Sequence, residues 1–333
     1  MDPLTQGTLG AALPQSVIPK QRLWLVGLFG FIAGLLADLD VLIRSSADPL
    51  LFLEYHRQFT HSLIFIPVGG AIAGLALHFV LGRRFGLRLA QSLLFATLGY
   101  GTHALLDAAT TYGTQLFWPF SDERFSFSIV SIIDPLFTLP LLAGVLAAAC
   151  TRRNGFARAG LVWGLCYLGI GWIQQGSALD QGRLLAEQRG HEIVRIEAKP
   201  SFANLLVWKT LYETETHFHV DAHRVGWRPR HFEGSSLPKL DLERDLPWLN
   251  PQGQQADDVE RFRHFSDGFI ALAPGTRGRI IDVRYSFVPN EFGALWSINL
   301  NPDAVVGDHA RFETHREDSR AGFQRLLELI KAP

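Results

Sequence analysis

The chain has 333 residues, 47% of them hydrophobic and only 19% charged, and its mean hydropathy is positive, which excludes an ordinary soluble domain of average composition. A formal net charge of −1 argues against a nucleic-acid-binding surface, and Cys150 and Cys166 both lie in apolar segments, which argues against a disulfide framework or a cysteine zinc site. Long apolar runs end near Gln174, so composition divides the chain into residues 1–174 and 175–333.

Residues 1–21 lack the charged start, apolar core and cleavage site of a secretory signal. Leu4, Leu9, Leu13 and Val17 recur at helical spacing, and Pro14 and Pro19 cut the pattern short. This predicts a short amphipathic or re-entrant segment beside the first membrane span. A helix that crosses the hydrocarbon needs about 20 mostly apolar residues. Five such stretches are expected, at residues 23–43, 63–81, 89–109, 129–150 and 157–173.

Basic residues set the orientation. Lys20 and Arg22 precede the first span, Arg83, Arg84 and Arg88 follow the second, and Arg152, Arg153 and Arg158 follow the fourth. With five spans these sites share one side, which the positive-inside rule makes cytoplasmic. The expectation is a multi-pass protein of the cell inner membrane, in contact with membrane lipids, with its N-terminus inside and residues 175–333 outside.

That topology carries several polar clusters to the outer face: Asp38 and Asp40, residues 56–62, His103 with Asp107, and Asp134. Imidazole nitrogens and carboxylate oxygens are the donors that hold a divalent metal. His103 and Asp107 stand at i, i+4 on one helical face, within reach of a shared ion. Asp38 and Asp40, at i, i+2, would diverge on a continuous helix and converge only where the helix ends. Asp134 precedes Pro135 and reads as a helix N-cap. Taken singly, each has a structural explanation: a histidine at a membrane edge forms hydrogen bonds, and an aspartate at a helix end caps it. The conjunction of Asp-x-Asp, His-x4-His and His-x3-Asp at one face selects a metal site drawn from Asp38, Asp40, His56, His61, His103 and Asp107. Zinc is the first expectation and manganese the alternative. Asp38 or Asp40 is the candidate proton acceptor, and Arg57 and Arg124 are candidates either to stabilise an anionic transition state or to anchor on lipid headgroups.

The second region reads as an α+β extracytoplasmic domain. Residues 205–210 and 217–225 are strand-like, with a turn at 213–215 between them, and 280–288 and 295–300 read as another antiparallel pair. Residues 183–189, 259–272 and 322–330 read as helices. His217, His219 and His223 share one strand face, either as a second metal site or as a solvated polar face.

The opening Met-Asp-Pro-Leu-Thr-Gln-Gly-Thr-Leu-Gly-Ala-Ala, Ala-Asp-Leu-Asp at 37–40, His-Arg-Gln-Phe-Thr-His-Ser at 56–62, and Gly-x-x-x-His-x-x-x-Asp followed by Thr-Tyr-Gly-Thr-Gln-Leu-Phe-Trp-Pro-Phe at 111–120 carry a resemblance. Over about residues 1–150 the chain resembles the YdjM-like family of membrane-bound, metal-dependent hydrolases. The resemblance implies a hydrolase with metal ligands from His56, His61, His103, Asp107 and the Asp38/Asp40 pair. It also marks Gln6 as a departure from relatives that carry His there. The location at a bilayer surface suggests a lipid or lipid-linked phosphoester as substrate. The competing expectation is a non-catalytic membrane protein, a transport or envelope assembly factor, in which the same residues bind an ion structurally or line a path.

The orientation has a direct test. Reporter fusions at the C-terminus and within residues 83–88 are expected to report opposite sides of the membrane. Signals from the same side would remove the common-face argument.

Overall fold

The computed structural model describes residues 1–18, 22–226, 228–315 and 319–332, so Pro19 and Lys20 of the sequence argument lie outside the described residues. The chain divides into two units: one holds Met1–Ile43, Tyr55–Ile173 and Phe202–Asn204, the other Arg44–Glu54, Gln174–Ser201 and Leu205–Pro333.

The first unit is helical. In chain order its elements are α1 (Pro3–Val17), α2 (Leu23–Leu35), a 3-10 turn over Leu36–Leu42, α4 (Ile66–Leu77) with a π turn at His78–Gly82, α5 (Leu89–Ala109) and α6 (Pro135–Thr151). The short α3 (Leu51–Tyr55) precedes α4, and α7 (Asn154–Gln188) runs without a break through the boundary between the units. Three stretches, Leu23–Leu42, Leu63–Gly82 and Asn154–Gln188, are long and apolar enough to cross a membrane, and α6 is a shorter apolar helix. Of the five expected spans, the one at α5 is long enough but not apolar enough. Its Ser92, Thr102, His103 and Asp107 are buried against protein, since α5 packs on α1, α2 and α4. A helix enclosed by other helices has little outer surface to make apolar.

Small residues let these helices approach closely. A Cβ on Gly30 of α2 would overlap the carbonyl oxygen of Gly10 on α1, and one on Gly99 of α5 would overlap the carbonyl oxygen of Gly30. The same packing corrects the reading of the N-terminal segment. α1 continues through Pro14, and it buries Thr5, Gln6, Thr8 and Gln15 while Leu4 and Val17 face outward. The leucine stripe is thus an external face, as in a helix whose surroundings are as apolar as leucine.

The second unit is α+β. Two antiparallel four-stranded meanders form in sequence order: β1 (Arg195–Pro200), β2 (Val207–Glu213), β3 (His217–Arg224) and β4 (Arg230–Pro238), then β5 (Ile270–Leu272), β6 (Arg279–Asp282), β7 (Trp296–Asn299) and β8 (Arg311–Thr314). Leu211 and Phe218 of the first sheet pack with Ala271 and Ile281 of the second and with Phe269 and Val283, which flank its strands. Helices α8 (Leu242–Asp245), α9 (Gln254–Phe265) and α10 (Ser319–Lys331) complete it. Both expected hairpins are present. The helix expected over 259–272 instead stops at Phe265, because Asp267 and Gly268 take positive φ angles and turn the chain into β5. The helix expected over 183–189 is the C-terminal end of α7.

One charge inside this unit sits awkwardly. Lys199 and Lys209 lie directly opposite on β1 and β2, and both are buried. Lys199 pairs with Glu197 at 2.8 Å, whereas the Lys209 ammonium donates to Ser286 Oγ at 2.9 Å and the Glu291 carbonyl at 3.1 Å. Burial pushes the Lys209 pKa down to about 7, with Asp282 opposing the shift. The unfolded chain holds this proton up to about pH 10.4. Stability therefore rises with pH between the two values, and the full penalty applies below about 7. Lys209→Met is expected to raise the thermal midpoint of the full chain near pH 7, by a stability gain on the order of a few kcal/mol, and to flatten its rise toward pH 10. Parallel pH profiles for the two proteins would contradict this assignment.

Candidate metal centre

Asp38 and Asp40 lie on the 3-10 turn that ends the first apolar stretch, where the tighter winding changes the direction of successive side chains. The helix ends where convergence of the pair requires it to end. His61 closes a short 3-10 turn, Phe59–His61, and His103 and Asp107 sit one turn apart on α5.

Four of these residues meet. Donor atoms of Asp38, His61, His103 and Asp107 all lie within 4.8 Å of one another. Asp38 Oδ1 is 3.5 Å from His61 Nε2 and 3.3 Å from His103 Nε2, and Asp107 Oδ2 is 3.3 and 3.6 Å from the same two nitrogens. Asp38, Asp40 and His56 form a second group that shares Asp38 with the first. His61, His103 and Asp107 are fully buried, while the side chains of Asp38 and His56 remain 29% and 32% exposed, so the cluster opens at one edge only.

The imidazoles are aimed by their other nitrogens. His103 Nδ1 lies 2.6 Å from the Gly34 carbonyl oxygen, to which it can only donate. That leaves the Nε2 lone pair facing the cluster. His61 Nδ1 lies 3.2 Å from Asp40 Oδ2 and 2.9 Å from Thr60 Oγ1. His61 Nε2, His103 Nε2 and Asp107 Oδ2 are buried without a hydrogen-bond partner. Asp107 Oδ2 has an ion pair with Arg57 close by, which leaves the two imidazole nitrogens as the unsatisfied atoms; facing two carboxylates, they fit a cation, because a buried polar atom left unsatisfied is costly. Electrostatics agree: burial disfavours charge on His61, but Asp107, Asp38 and Asp40 outweigh it and hold its pKa up to about 10.

Asp40 is occupied differently. Its oxygens meet His56 Nδ1 at 2.8 Å, the Arg57 backbone N–H at 2.9 Å and the Thr60 hydroxyl at 2.9 Å, in addition to His61. Arg57 is buried, with Nε 3.1 Å from Asp107 Oδ2, Nη1 donating to Thr110 Oγ1 at 3.2 Å, and the guanidinium over the Tyr112 ring. Its backbone is left-handed, with φ 62°, a conformation that a bulky residue adopts only when its surroundings impose it. Arg124 donates to the His56 carbonyl at 3.2 Å. Gln6 Nε2 donates to Asp107 Oδ1 at 2.8 Å, and the Met1 α-ammonium pairs with the same oxygen.

Other expected participants lie elsewhere. Asp134 caps α6 by accepting from Leu136 and Phe137 N–H groups, and it takes a further hydrogen bond from Tyr167 at 2.9 Å. His78 bonds to Ser92. In the second unit His219 stacks on Tyr212, and His223 is buried beside His231. Among the described residues these strand histidines form no group of three donors close enough to share an ion. The roles of Thr60, Thr110 and the Gly34 carbonyl were not read from the sequence. Thr60 lies inside the His-x4-His segment, which was the one available signal.

Comparison with known proteins supports the same half of the chain. The profile of the YdjM inner membrane protein family matches residues 1–178. The inner membrane protein YbcI of Escherichia coli (strain K12) is 36% identical over 119 residues, which is 35% of this chain and 64% of that protein. This chain thus covers somewhat less than two thirds of that relative's length. No solved structure matches. With a match over more than half of its length, including every residue of the candidate metal cluster, the chain belongs to the YdjM inner membrane protein family.

Proposed function

We propose that this protein is a membrane-bound, metal-dependent hydrolase acting on a lipid or lipid-linked phosphoester at the extracytoplasmic surface. The observation that carries the reading is the pair of buried imidazole nitrogens without a hydrogen-bond partner, His61 Nε2 and His103 Nε2, facing Asp38 and Asp107 beside an open edge. Asp38, His61, His103 and Asp107 would hold an inner ion. Asp38, Asp40 and His56 would hold an outer one, with zinc or manganese suited to both sets. Such ions supply a water activated near neutral pH and positive charge for a phosphoryl oxygen.

The side chains divide the remaining work. Asp38 meets both histidines through Oδ1 and is partly exposed, so with the inner ion alone bound its Oδ2 is the oxygen placed to take a proton at the open edge, whereas a second ion there would take that oxygen as a ligand. Asp40, already bonded to both His56 and His61, orients the imidazoles and fixes their tautomers. Arg57 pairs with Asp107 Oδ2, the same oxygen that faces the two histidines, and so supports the cluster in this reading. The substrate class is inferred from the cluster standing where the first long apolar stretch ends and the second begins, with its side of the membrane assigned from the basic residues. The burial of His61, His103 and Asp107 also suits the alternative, a closed structural ion site in a non-catalytic envelope protein. The exposed edge at Asp38 and His56 favours the hydrolase.

Metal analysis comes first. His61→Ala and His103→Ala are each expected to lower affinity for the inner ion by at least about 10-fold, while His78→Ala leaves it unchanged. Retention of wild-type metal by both cluster variants would remove the basis for the site. In native-lipid nanodiscs with zinc or manganese, phosphate release from phospholipid or lipid-linked phosphate substrates is expected, and Asp38→Asn is expected to slow it roughly 10²–10⁴-fold. A metal-loaded protein that hydrolyses none of them would favour the structural-ion reading.

A further inference from the structure

The second unit holds a cavity of about 540 Å³, lined by β6, the segment 287–294, His315 after β8 and the first turns of α10. Most of its wall is apolar, and α10 comes so close at Gly322 that a Cβ there would lie 2.7 Å from Phe287 Cβ. Arg279 and Ile281, two positions apart on β6, stand on one face of the second sheet, so charge and apolar surface reach the cavity side by side. The Arg279 guanidinium makes no hydrogen bond or ion pair with any described residue, and its Nε is shut off from water without a partner. The carboxylate that lines the same cavity is committed elsewhere. Arg325 takes both oxygens of Glu291, Oε1 at 2.9 Å and Oε2 at 3.1 Å, and the Lys209 ammonium takes the Glu291 backbone carbonyl. His315 Nε2 lies 2.8 Å from Ser297 Oγ and 4.0 Å from Glu313 Oε2. Among the described residues, the charge of Arg279 is therefore the unmatched one on the wall.

We propose that this cavity binds a small amphipathic anion, a carboxylate or phosphate monoester carrying a hydrocarbon chain, with its head on Arg279 and its chain along the apolar wall. A guanidinium keeps its proton, so it cannot relieve partial burial by becoming neutral as a lysine can. An anion offsets that cost, and the forked donors of Arg279 match the paired oxygens of a carboxylate or phosphate. An inorganic anion alone would leave the apolar wall against water, and a neutral hydrocarbon would leave Nε unpaired. A ligand with both parts satisfies both features. The volume lies within the range of small-molecule sites, about 300–1,000 Å³, and so does the character of the wall, mostly apolar with a few polar groups. The cavity shares no residue with the metal cluster, and the proposal does not rest on the hydrolase reading.

The test titrates octanoate and octyl phosphate into the full-length protein in phosphatidylcholine nanodiscs, with empty nanodiscs to subtract partition into lipid. Saturable binding of one equivalent of either probe is expected, and comparison of the two identifies the preferred head. Arg279→Gln should weaken it roughly 10–100-fold, the loss of hydrogen bonds to a charged group. Arg279→Lys should fall between, because lysine keeps the charge without the fork. Octanol, which has the chain without the charge, and acetate or inorganic phosphate, which have the charge without the chain, should each bind at least about 10-fold more weakly than the matching probe. Ala321→Trp, at an exposed lining position of α10, should abolish binding by filling the cavity, and it carries the test should Arg279→Gln fail to fold. Absence of saturable binding to wild type, wild-type affinity in Arg279→Gln or in Ala321→Trp, or equal affinity for inorganic phosphate and octyl phosphate would each overturn the proposal.

Discussion

The arrangement depends on two imidazoles turned so that their Nε2 atoms face one point, with Asp38 and Asp107 across from them. Neither ring is free to turn away. The Gly34 carbonyl holds His103 from behind, and Asp40 with Thr60 holds His61. The Gly34 carbonyl is available because α1, α2 and α5 meet at glycine contacts, which bring the backbone of α2 against α5. Small residues at the helix crossings and ring orientation at the cluster are thus one constraint seen at two scales.

Charge is distributed to match. Three carboxylates gather in a largely buried place, and only part of their charge is balanced by Arg57 and the Met1 ammonium, both on Asp107. Asp38 faces the two histidines instead. A buried excess of negative charge is expensive unless a cation or protons offset it, which is why the cluster reads as a built site and not as a set of helix caps. Asp134 makes the contrast clear, since its capping N–H groups and Tyr167 satisfy it completely without help from the cluster.

Much of this was legible in the sequence, for identifiable reasons. His103 and Asp107 follow from helical periodicity, and the convergence of Asp38 and Asp40 from the expectation that the helix ends there. The division of labour was not legible. Asp38 and Asp40 are the same residue type two positions apart, and only the backbone N–H of Arg57 and the Thr60 hydroxyl mark Asp40 as the orienting member. From sequence Arg57 reads either as a transition-state contact or as a headgroup anchor, and neither reading reveals its buried ion pair with Asp107. The leucine pattern of α1 reveals the helix but not which face is buried, because periodicity does not say whether the apolar side meets protein or lies outside it. Nor does composition reveal that Arg44–Glu54 packs with residues more than 200 positions away, such as Arg261. That association rests on long-range charge and aromatic contacts.

Anomalous scattering at the zinc edge from metal-loaded crystals tests the central claim most directly. The account predicts a peak about 2.0–2.1 Å from both His61 Nε2 and His103 Nε2, with Asp38 and Asp107 oxygens at similar range. A peak away from those two nitrogens, or none in protein shown to contain zinc, would contradict it.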